Sequence, residues 1–175
     1  MESNLVFYTA TIYKWYNLLE KDETKQIVIE SLSFLVEKKR LILYSFVIMP
    51  NHIHLVAEQN VEGEQTKETP FAALLKFTGH SFKQYLSNFP EEITKFKVTE
   101  DDRKYRFWQD KPMYISLYSR KVIEQKIAYI HKNPIQEKWS LVNFPVEYEF
   151  SSAGFYETGI DKFGILTHIS EASCW

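Results

Sequence analysis

Two histidines separated by a single residue are the first feature of this sequence that could do chemistry. His52 and His54 follow Pro50-Asn51, a pair typical of a turn. Side chains on a β-strand alternate between the two faces, so both imidazoles point to the same side, about 7 Å apart. Imidazole nitrogens are common ligands of divalent transition metals. The pair therefore supplies two ligands of a candidate metal site, and a structural or solvent-facing role is the alternative for this motif alone.

A tyrosine and an asparagine near the end of a later helical segment are the second such feature. Tyr129 and Asn133 are four residues apart, which on a helix puts their Cβ atoms about 6 Å from each other. The apolar stripe of this helix consists of Ile123, Ile127 and Ile130, and Tyr129 projects roughly 100° away from it. A tyrosine hydroxyl can serve as a nucleophile in covalent catalysis. A contact on the flank of the helix is the alternative interpretation of this pair.

The hydrophobic pattern predicts the elements that position these side chains. Residues 5–15 are rich in β-branched and aromatic types and predict a strand. Asp22 is predicted to cap a helix that ends near the basic triplet 38–40. The apolar run 41–49 and the segment 52–59 predict two strands joined by a tight turn. The two histidines therefore begin the second strand of this hairpin.

The second half of the chain also alternates between predicted helices and strands. Thr69 and the proline after it predict the start of a helix that runs to about Asn88. Residues 105–118 contain strand-like segments, and Ser119 is predicted to cap a last helix that Pro134 closes. The order β-α-β-β-α-β-α matches the ferredoxin-like pattern (βαββαβ) in its first six elements. The predicted fold class is thus α+β, with an antiparallel sheet, helices on one face, the other face free for a partner, and a C-terminal helix and extension.

Length and composition bound the class of protein. The chain has 175 residues, which corresponds to a single domain over residues 1–175. Hydrophobic residues make up 45% and charged residues 25%, with only 5 Gly and 6 Pro, so a disordered or fibrous chain is excluded. Cys174 is the one cysteine, and the N-terminus lacks the pattern of a signal peptide. No apolar run reaches the ~18 residues of a membrane span, so we expect a cytoplasmic protein without a membrane partner.

Charge is distributed unevenly along the chain, although the net charge is only −2. Residues 57–70 carry four acids and one base, and residues 91–102 carry five acids and two bases; both are predicted to be acidic loops. Residues 103–138 carry nine bases and three acids, a net of +6. Such asymmetry can mark a local site for a polyanion that the total charge conceals. A solvated helix face is the alternative.

Taken together, the segments MPNHIHLV (49–56) and YIHKNP (129–134) resemble the single-tyrosine HUH transposases, and in particular their REP-associated tyrosine transposase branch. The resemblance extends from the first strand through SSAGFY at 151–156. Ile53 provides the bulky hydrophobic residue that the family has between its two histidines. The residue four positions after the tyrosine is Gln in the mobile insertion-sequence branch and Asn133 here, which favours the REP-associated branch and leaves mobility of the gene open.

The resemblance implies an activity and a site. Tyr129 would attack a single-stranded DNA phosphodiester, giving a 5′-phosphotyrosine linkage and a free 3′-hydroxyl. His52, His54 and Asn133 would hold a divalent metal ion. Imidazole ligands suit Mn²⁺ or Zn²⁺ better than Mg²⁺, whereas the family implies Mg²⁺ or Mn²⁺. The implied partner is single-stranded or hairpin DNA, and the family is compatible with a homodimer as well as with a monomer.

Candidate DNA contacts come from basic residues at a helix end and from bases interleaved with aromatic residues. Such a mixture suits single-stranded nucleic acid through phosphate neutralisation and base stacking. The alternative for Trp108 is a place in the core of a strand. The candidate nucleic-acid-binding residues are Lys38, Lys39, Arg40, Arg103, Lys104, Arg106, Trp108, Arg120 and Lys121.

Two other functions compete with the transposase hypothesis. The first is a DNA-hairpin-binding protein of transposase descent that does not cleave. The second is an unrelated metal-binding domain that uses only His52 and His54 and predicts no role for Tyr129. A nicking assay on single-stranded hairpin DNA separates the enzyme from the binding protein.

Overall fold

The computed structural model describes residues 5–59, 67–100 and 102–172, without the side chain of residue 100. Cys174 and residues 60–66 of the first predicted acidic loop lie outside the described residues. The strands are β1 (Leu5–Thr11), β2 (Leu41–Met49), β3 (His52–Gln59), β4 (Lys97–Glu100), β5 (Arg103–Tyr105) and β6 (Met113–Ser116). The helices are α1 (Asp22–Glu37), α2 (Pro70–Leu86), α3 (Pro90–Thr94), α4 (Arg120–Lys132) and α5 (Ala153–Thr158).

Four strands form one antiparallel sheet in the order β2-β3-β1-β6. Helix α1 connects β1 to β2, and helix α2 leads from β3 towards β6, so each crossover skips over one strand. This order is that of a split βαβ pair, which confirms the predicted ferredoxin-like arrangement. The central strands β1 and β3 are paired along their whole length, from Leu5 opposite Glu58 to Thr11 opposite His52.

The first face of the sheet is covered by α1 and α2. These helices contact each other, and the ring of Tyr8 on β1 stacks on Phe71 of α2 at 4.6 Å. Ile53 and Leu55, which alternate with the two histidines along β3, are fully buried. Because neighbouring residues of a strand point to opposite faces, the histidines lie on the second face.

The sequence predicted that the second face of the sheet is free for a partner. In the structure, α4 packs across β2 and β3 on this face instead. Ile123, Ile127 and Ile130 are its buried residues. An amphipathic helix must bury its apolar stripe, and the second face offers the surface for it. His131 of α4 bonds through Nε2 to the Ser152 hydroxyl at 2.8 Å, and thereby ties the helix to the C-terminal extension.

The extension lies along the outer edge of β2. The Ile48 amide donates to the Phe150 carbonyl at 2.9 Å, and the Ser152 amide donates to the Phe46 carbonyl at 3.0 Å. Unpaired strand edges promote association with other chains, and this segment covers the edge. The described residues contain no helix that is both long and apolar enough to cross a membrane.

Helix starts agree with the sequence in two of three cases. The hydroxyls of Thr69 and Ser119 accept hydrogen bonds from the third residue of each helix, as predicted. Asp22 is not a cap: it is the first residue of α1, and its carboxylate binds Lys25 at 2.8 Å instead. Its charge still suits the positive end of the helix dipole.

The predicted acidic loop over 91–102 is wrong, because this stretch contains most of α3 and all of β4. Pro90 is the first helical residue, and Ile93 and Phe96 are buried. These two apolar side chains anchor the stretch on the core, whereas Glu91 and Asp102 are exposed. The other acidic segment, 57–70, begins inside β3, which runs to Gln59.

Candidate functional site

The β2–β3 hairpin brings the two histidines together at the start of β3. Their ring centroids are 4.7 Å apart, and only 7% of His52 and 5% of His54 is exposed. The turn consists of Pro50 and Asn51 alone, because Met49 at the end of β2 pairs directly with His52 at the start of β3. The register therefore fixes both side chains on the second face, as the alternation of the sequence predicts.

Each imidazole is held through its Nδ1 atom. His52 Nδ1 donates to Oδ1 of Asn51 at 2.7 Å, and His54 Nδ1 lies 2.7 Å from the Thr9 hydroxyl on β1. An amide oxygen can only accept, so His52 carries its proton on Nδ1 and keeps the Nε2 lone pair. A hydrogen bond to one ring nitrogen commonly orients a histidine whose other nitrogen binds a metal.

The environment keeps both imidazoles neutral. Burial lowers the pKa of His52 to about 4, against an opposing effect of the hydrogen bond with Asn133. Burial also lowers the pKa of His54 to about 3, and the nearby charges of Lys126 and Lys138 act in the same direction. Neutral imidazole is the form that binds metal ions.

Helix α4 brings Tyr129 to the same place. Its ring meets His54 edge-on at a centroid distance of 5.3 Å and Phe7 at 6.1 Å. Phe7 in turn stacks on His54 at 5.1 Å. The tyrosine remains 43% exposed, so it borders the buried histidines on one side and solvent on the other. A nucleophile that must meet a macromolecular substrate needs this combination.

Asn133 completes the cluster at the end of α4. Pro134 ends the helix there, and the asparagine is only 1% exposed beside His52. Its Nδ2 atom is buried without a hydrogen-bond partner among the described residues. A half-turn of the amide exchanges nitrogen and oxygen, so this unpaired end can present an oxygen to a cation.

These residues fit a divalent ion held by nitrogen and oxygen donors. Two imidazole Nε2 atoms and one amide oxygen are all neutral ligands of the kind that Mn²⁺ accepts. The described part of the chain has no group of three or more His, Cys, Asp or Glu side chains that could hold a metal ion. Because the three candidate ligands here are neutral, an ion held by them would keep its positive charge and have positions left for substrate oxygens.

The sequence analysis missed several neighbours of the cluster. Thr9 and Phe7 come from β1, more than forty residues away in the chain, and no local pattern relates them to the histidines. Lys126 lies three residues before Tyr129 on α4, so its helical spacing could have been noticed. Lys138 comes from the loop that follows Pro134, which carries no such pattern.

The basic triplet is far from the cluster. Lys38, Lys39 and Arg40 precede β2, and the histidines follow its other end, about 26 Å away at the rise of an extended strand. Arg40 is buried and donates to the Glu68 carbonyl at 2.9 Å. The structure therefore does not bring these three residues together with the other candidates.

Three further candidates line a groove of about 550 Å³ beside α2. Arg103 and Arg106 each form an ion pair with Asp110. Lys104 lies 5.7 Å from the ring of Tyr105, and Lys83 of α2 lies 5.8 Å from the same ring. The groove is thus basic, and it lies on the helix side of the sheet.

Trp108 is not a free stacking surface. It is 7% exposed, packs against Phe82 at 5.9 Å, and donates its indole N–H to the Thr78 hydroxyl at 2.9 Å. The alternative of a core residue is therefore correct. The remaining candidates, Arg120 and Lys121, are exposed at the start of α4, about 14 Å along the helix from Tyr129.

Two solved structures are similar to this chain. The REP-associated tyrosine transposase bound to a REP hairpin has a TM-score of 0.65 and 15% identity, over 99% of this chain and 92% of that chain. A candidate transposase from Deinococcus radiodurans R1 has a TM-score of 0.41 and 16% identity, over 73% of this chain and 88% of that chain. The sequence itself matches no family profile and no curated protein. The chain therefore shares the fold of the REP-associated tyrosine transposase, as its sequence motifs predicted.

Proposed function

We propose that this protein is a metal-dependent, single-stranded DNA transposase or strand-transferase with Tyr129 as its nucleophile. One observation carries the proposal. The tyrosine, the two histidines and the asparagine that stand out in the sequence come from β3 and from the far end of α4, yet their side chains form one cluster. An unrelated metal site built on the histidines alone would not need the tyrosine there.

The proposed reaction is a transesterification. The Tyr129 hydroxyl attacks the phosphorus of a DNA phosphodiester, its proton leaves to water, and the bond to the 3′-oxygen breaks. That oxygen takes a proton from water, so the products are a 5′-phosphotyrosine ester and a free 3′-hydroxyl. One ester replaces another, and a 3′-hydroxyl of a second strand can reverse the step without ATP.

The surrounding residues prepare this step. A Mg²⁺ or Mn²⁺ ion held by His52, His54 and Asn133 would polarise the phosphate and offset its developing charge. Asn51 and Thr9 orient the two imidazoles so that their Nε2 atoms can bind. Phe7 packs against both His54 and Tyr129 and thereby fixes the position of the proposed nucleophile relative to the proposed metal ligand.

The proposed substrate is single-stranded or hairpin DNA. The similar solved transposase was bound to a REP hairpin. In this chain, the groove lined by Arg103, Lys104 and Arg106 offers a basic surface for a DNA backbone. We also propose Arg120 and Lys121 as contacts to the strand that reaches Tyr129, because they begin the same helix.

Detection of a covalent adduct tests the proposal. Wild-type protein incubated with labelled hairpin DNA and Mn²⁺ or Mg²⁺ is expected to give a protein–DNA species that survives denaturation. Tyr129→Phe removes only the hydroxyl and should give none, while it binds the same DNA. Tyr118→Phe is the matched control, because Tyr118 is a more exposed tyrosine just before α4.

Two results would contradict the proposal. An adduct formed by the Tyr129→Phe variant would show that another residue is the nucleophile. Hairpin binding by the wild type without any adduct or nick would favour the DNA-hairpin-binding protein that does not cleave.

A further inference from the structure

Two lysines lie near the histidine pair. Each is next to an aromatic ring that contacts one of the histidines. The ammonium of Lys126 lies 4.6 Å from the centroid of Phe7, which stacks on His54. The ammonium of Lys138 lies 5.7 Å from Trp139, whose ring is 5.8 Å from His52. Lys126 comes from α4 and is linked through Phe7 to His54, whereas Lys138 comes from the loop beyond α4 and is linked through Trp139 to His52.

We propose that Lys126 and Lys138 form two phosphate-binding subsites, one beside His54 and one beside His52, that hold the backbone of a single DNA strand at the cluster. This inference rests on the proposed function, since it places DNA at this site. It adds two residues that none of the sequence motifs contains.

The charges of both lysines are available to a ligand. Within the described residues, neither ammonium forms an ion pair with a carboxylate. This separates them from Arg103, Arg106 and Arg120, which do form such pairs. A ring positions a cation electrostatically without neutralising it. Lysines held in this way keep their full charge for a phosphate.

The nature of the site indicates backbone recognition rather than base recognition. Ammonium groups bind phosphates as point charges, without the directional pattern needed to read a base. Because Lys126 is one helical turn before Tyr129, a phosphate bound there lies beside the one that the tyrosine attacks. The two lysines would thus hold the strand by phosphates close to the scissile one.

The test measures DNA binding and its salt dependence without cleavage. The Tyr129→Phe protein is titrated with labelled oligothymidylate in chelator, at a series of salt concentrations. For single strands, log K falls with log salt by about 0.7 for each phosphate contact. Lys126→Gln and Lys138→Gln should each flatten the slope by about 0.7, and the double variant by about 1.4. Lys126→Arg and Lys138→Arg keep the positive charge, so both variants should retain the slope of the protein with the original lysines.

Lys132→Gln is the matched control. Lys132 is exposed on the same helix, and its spacing of six residues places it about 120° around the helix axis from Lys126. An unchanged slope in both lysine variants, or an equal loss in Lys132→Gln, would overturn the inference. A flattened slope together with no adduct in the wild type would support the two subsites and contradict the proposed cleavage, so the two failures are distinguishable.

Discussion

At the scale of single residues, the cluster depends on the protonation state and orientation of its imidazoles. Burial keeps His52 and His54 neutral, Asn51 and Thr9 hold the two rings through Nδ1, and His52 also bonds to Asn133. Neutral nitrogens with fixed direction can bind a metal ion without first losing a proton or rotating. Metal binding by this protein should therefore depend on these two residues and on their orienting partners.

Removal of both imidazoles should abolish metal binding. In the double variant His52→Ala and His54→Ala, two of three ligands are lost, so we expect no Mn²⁺ binding in calorimetry and no adduct formation with DNA. His80→Ala is the control, because His80 lines the basic groove beside α2. Mn²⁺ binding that persists in the double variant would put the metal site elsewhere.

Loss of the orienting partner of His52 should weaken metal binding without removing a ligand. Asn51→Ala deletes the oxygen that accepts from Nδ1, and variants of this kind typically lose about 10- to 100-fold in metal affinity. Asn51→Asp keeps an acceptor at the same place and should retain most of the affinity. Calorimetric titration with Mn²⁺ compares the two variants, and equal affinities would argue against an orienting role.

At the scale of elements, the position of α4 decides where Tyr129 stands. The helix lies on the second face of the sheet, and its last turn is tied down by His131. That imidazole bonds to the Ser152 hydroxyl, which also bonds to Ser45 Oγ at 2.8 Å and accepts from the Phe46 amide at 3.0 Å. One buried serine thus joins α4, the edge strand β2 and the C-terminal extension.

Ser152→Ala should destabilise the fold more than its size suggests. The substitution leaves the Phe46 amide and the His131 ring without this buried partner, and an unsatisfied buried polar group costs about 1–3 kcal/mol. Urea unfolding measures the loss. Ser87→Ala is the control, since Ser87 is exposed at the end of α2, and surface changes usually stay within about 0.5 kcal/mol. Equal effects would mean that the serine does not anchor α4.

At the scale of the whole molecule, three buried histidines make stability depend on pH. Burial lowers the pKa of His52 to about 4, of His54 to about 3 and of His131 to about 4. In the unfolded chain they titrate near 6.5. The unfolded state therefore binds protons first as pH falls, so their stabilising effect is complete above about pH 6.5 and is lost towards pH 4.

Unfolding experiments can detect this loss. In metal-free buffer, the free energy of unfolding by urea should be smaller at pH 5 than at pH 7.5. The variant His131→Asn should show a weaker pH dependence than the wild type, because it lacks one of the three groups. If the two proteins have the same pH dependence, protonation of His131 does not contribute.

The charge distribution of the molecule also predicts its preferred DNA form. The net charge is −2, yet residues 103–138 carry +6. We expect tighter binding to single-stranded or hairpin DNA than to a perfect duplex of the same sequence, since acidic segments repel a stiff polyanion. Binding should weaken steeply with salt. Gel-shift titrations at two salt concentrations check both points, and equal affinity for duplex and single strand would contradict the first.

Features that depend on neighbours in the chain were predictable from the sequence. The shared face of His52 and His54 follows from strand alternation, and the placement of Tyr129 and Asn133 one helical turn apart follows from helical spacing. The caps at Thr69 and Ser119 depend on a side chain and a backbone amide three residues apart. The order of elements then restricts the sheet to few topologies, which is why the ferredoxin-like arrangement could be predicted.

Only the tertiary structure decided which distant residues meet. Nothing local indicates that the stripe of α4 covers the second face of the sheet, that Phe7 stacks on His54, or that Trp108 donates to Thr78 in the core. These contacts depend on which apolar surfaces remain to be buried once the sheet has formed, and that is a property of the whole chain. The sequence by itself thus determined the chemistry available at each residue. The tertiary structure decided that β3 and α4 bring a candidate nucleophile and candidate metal ligands together.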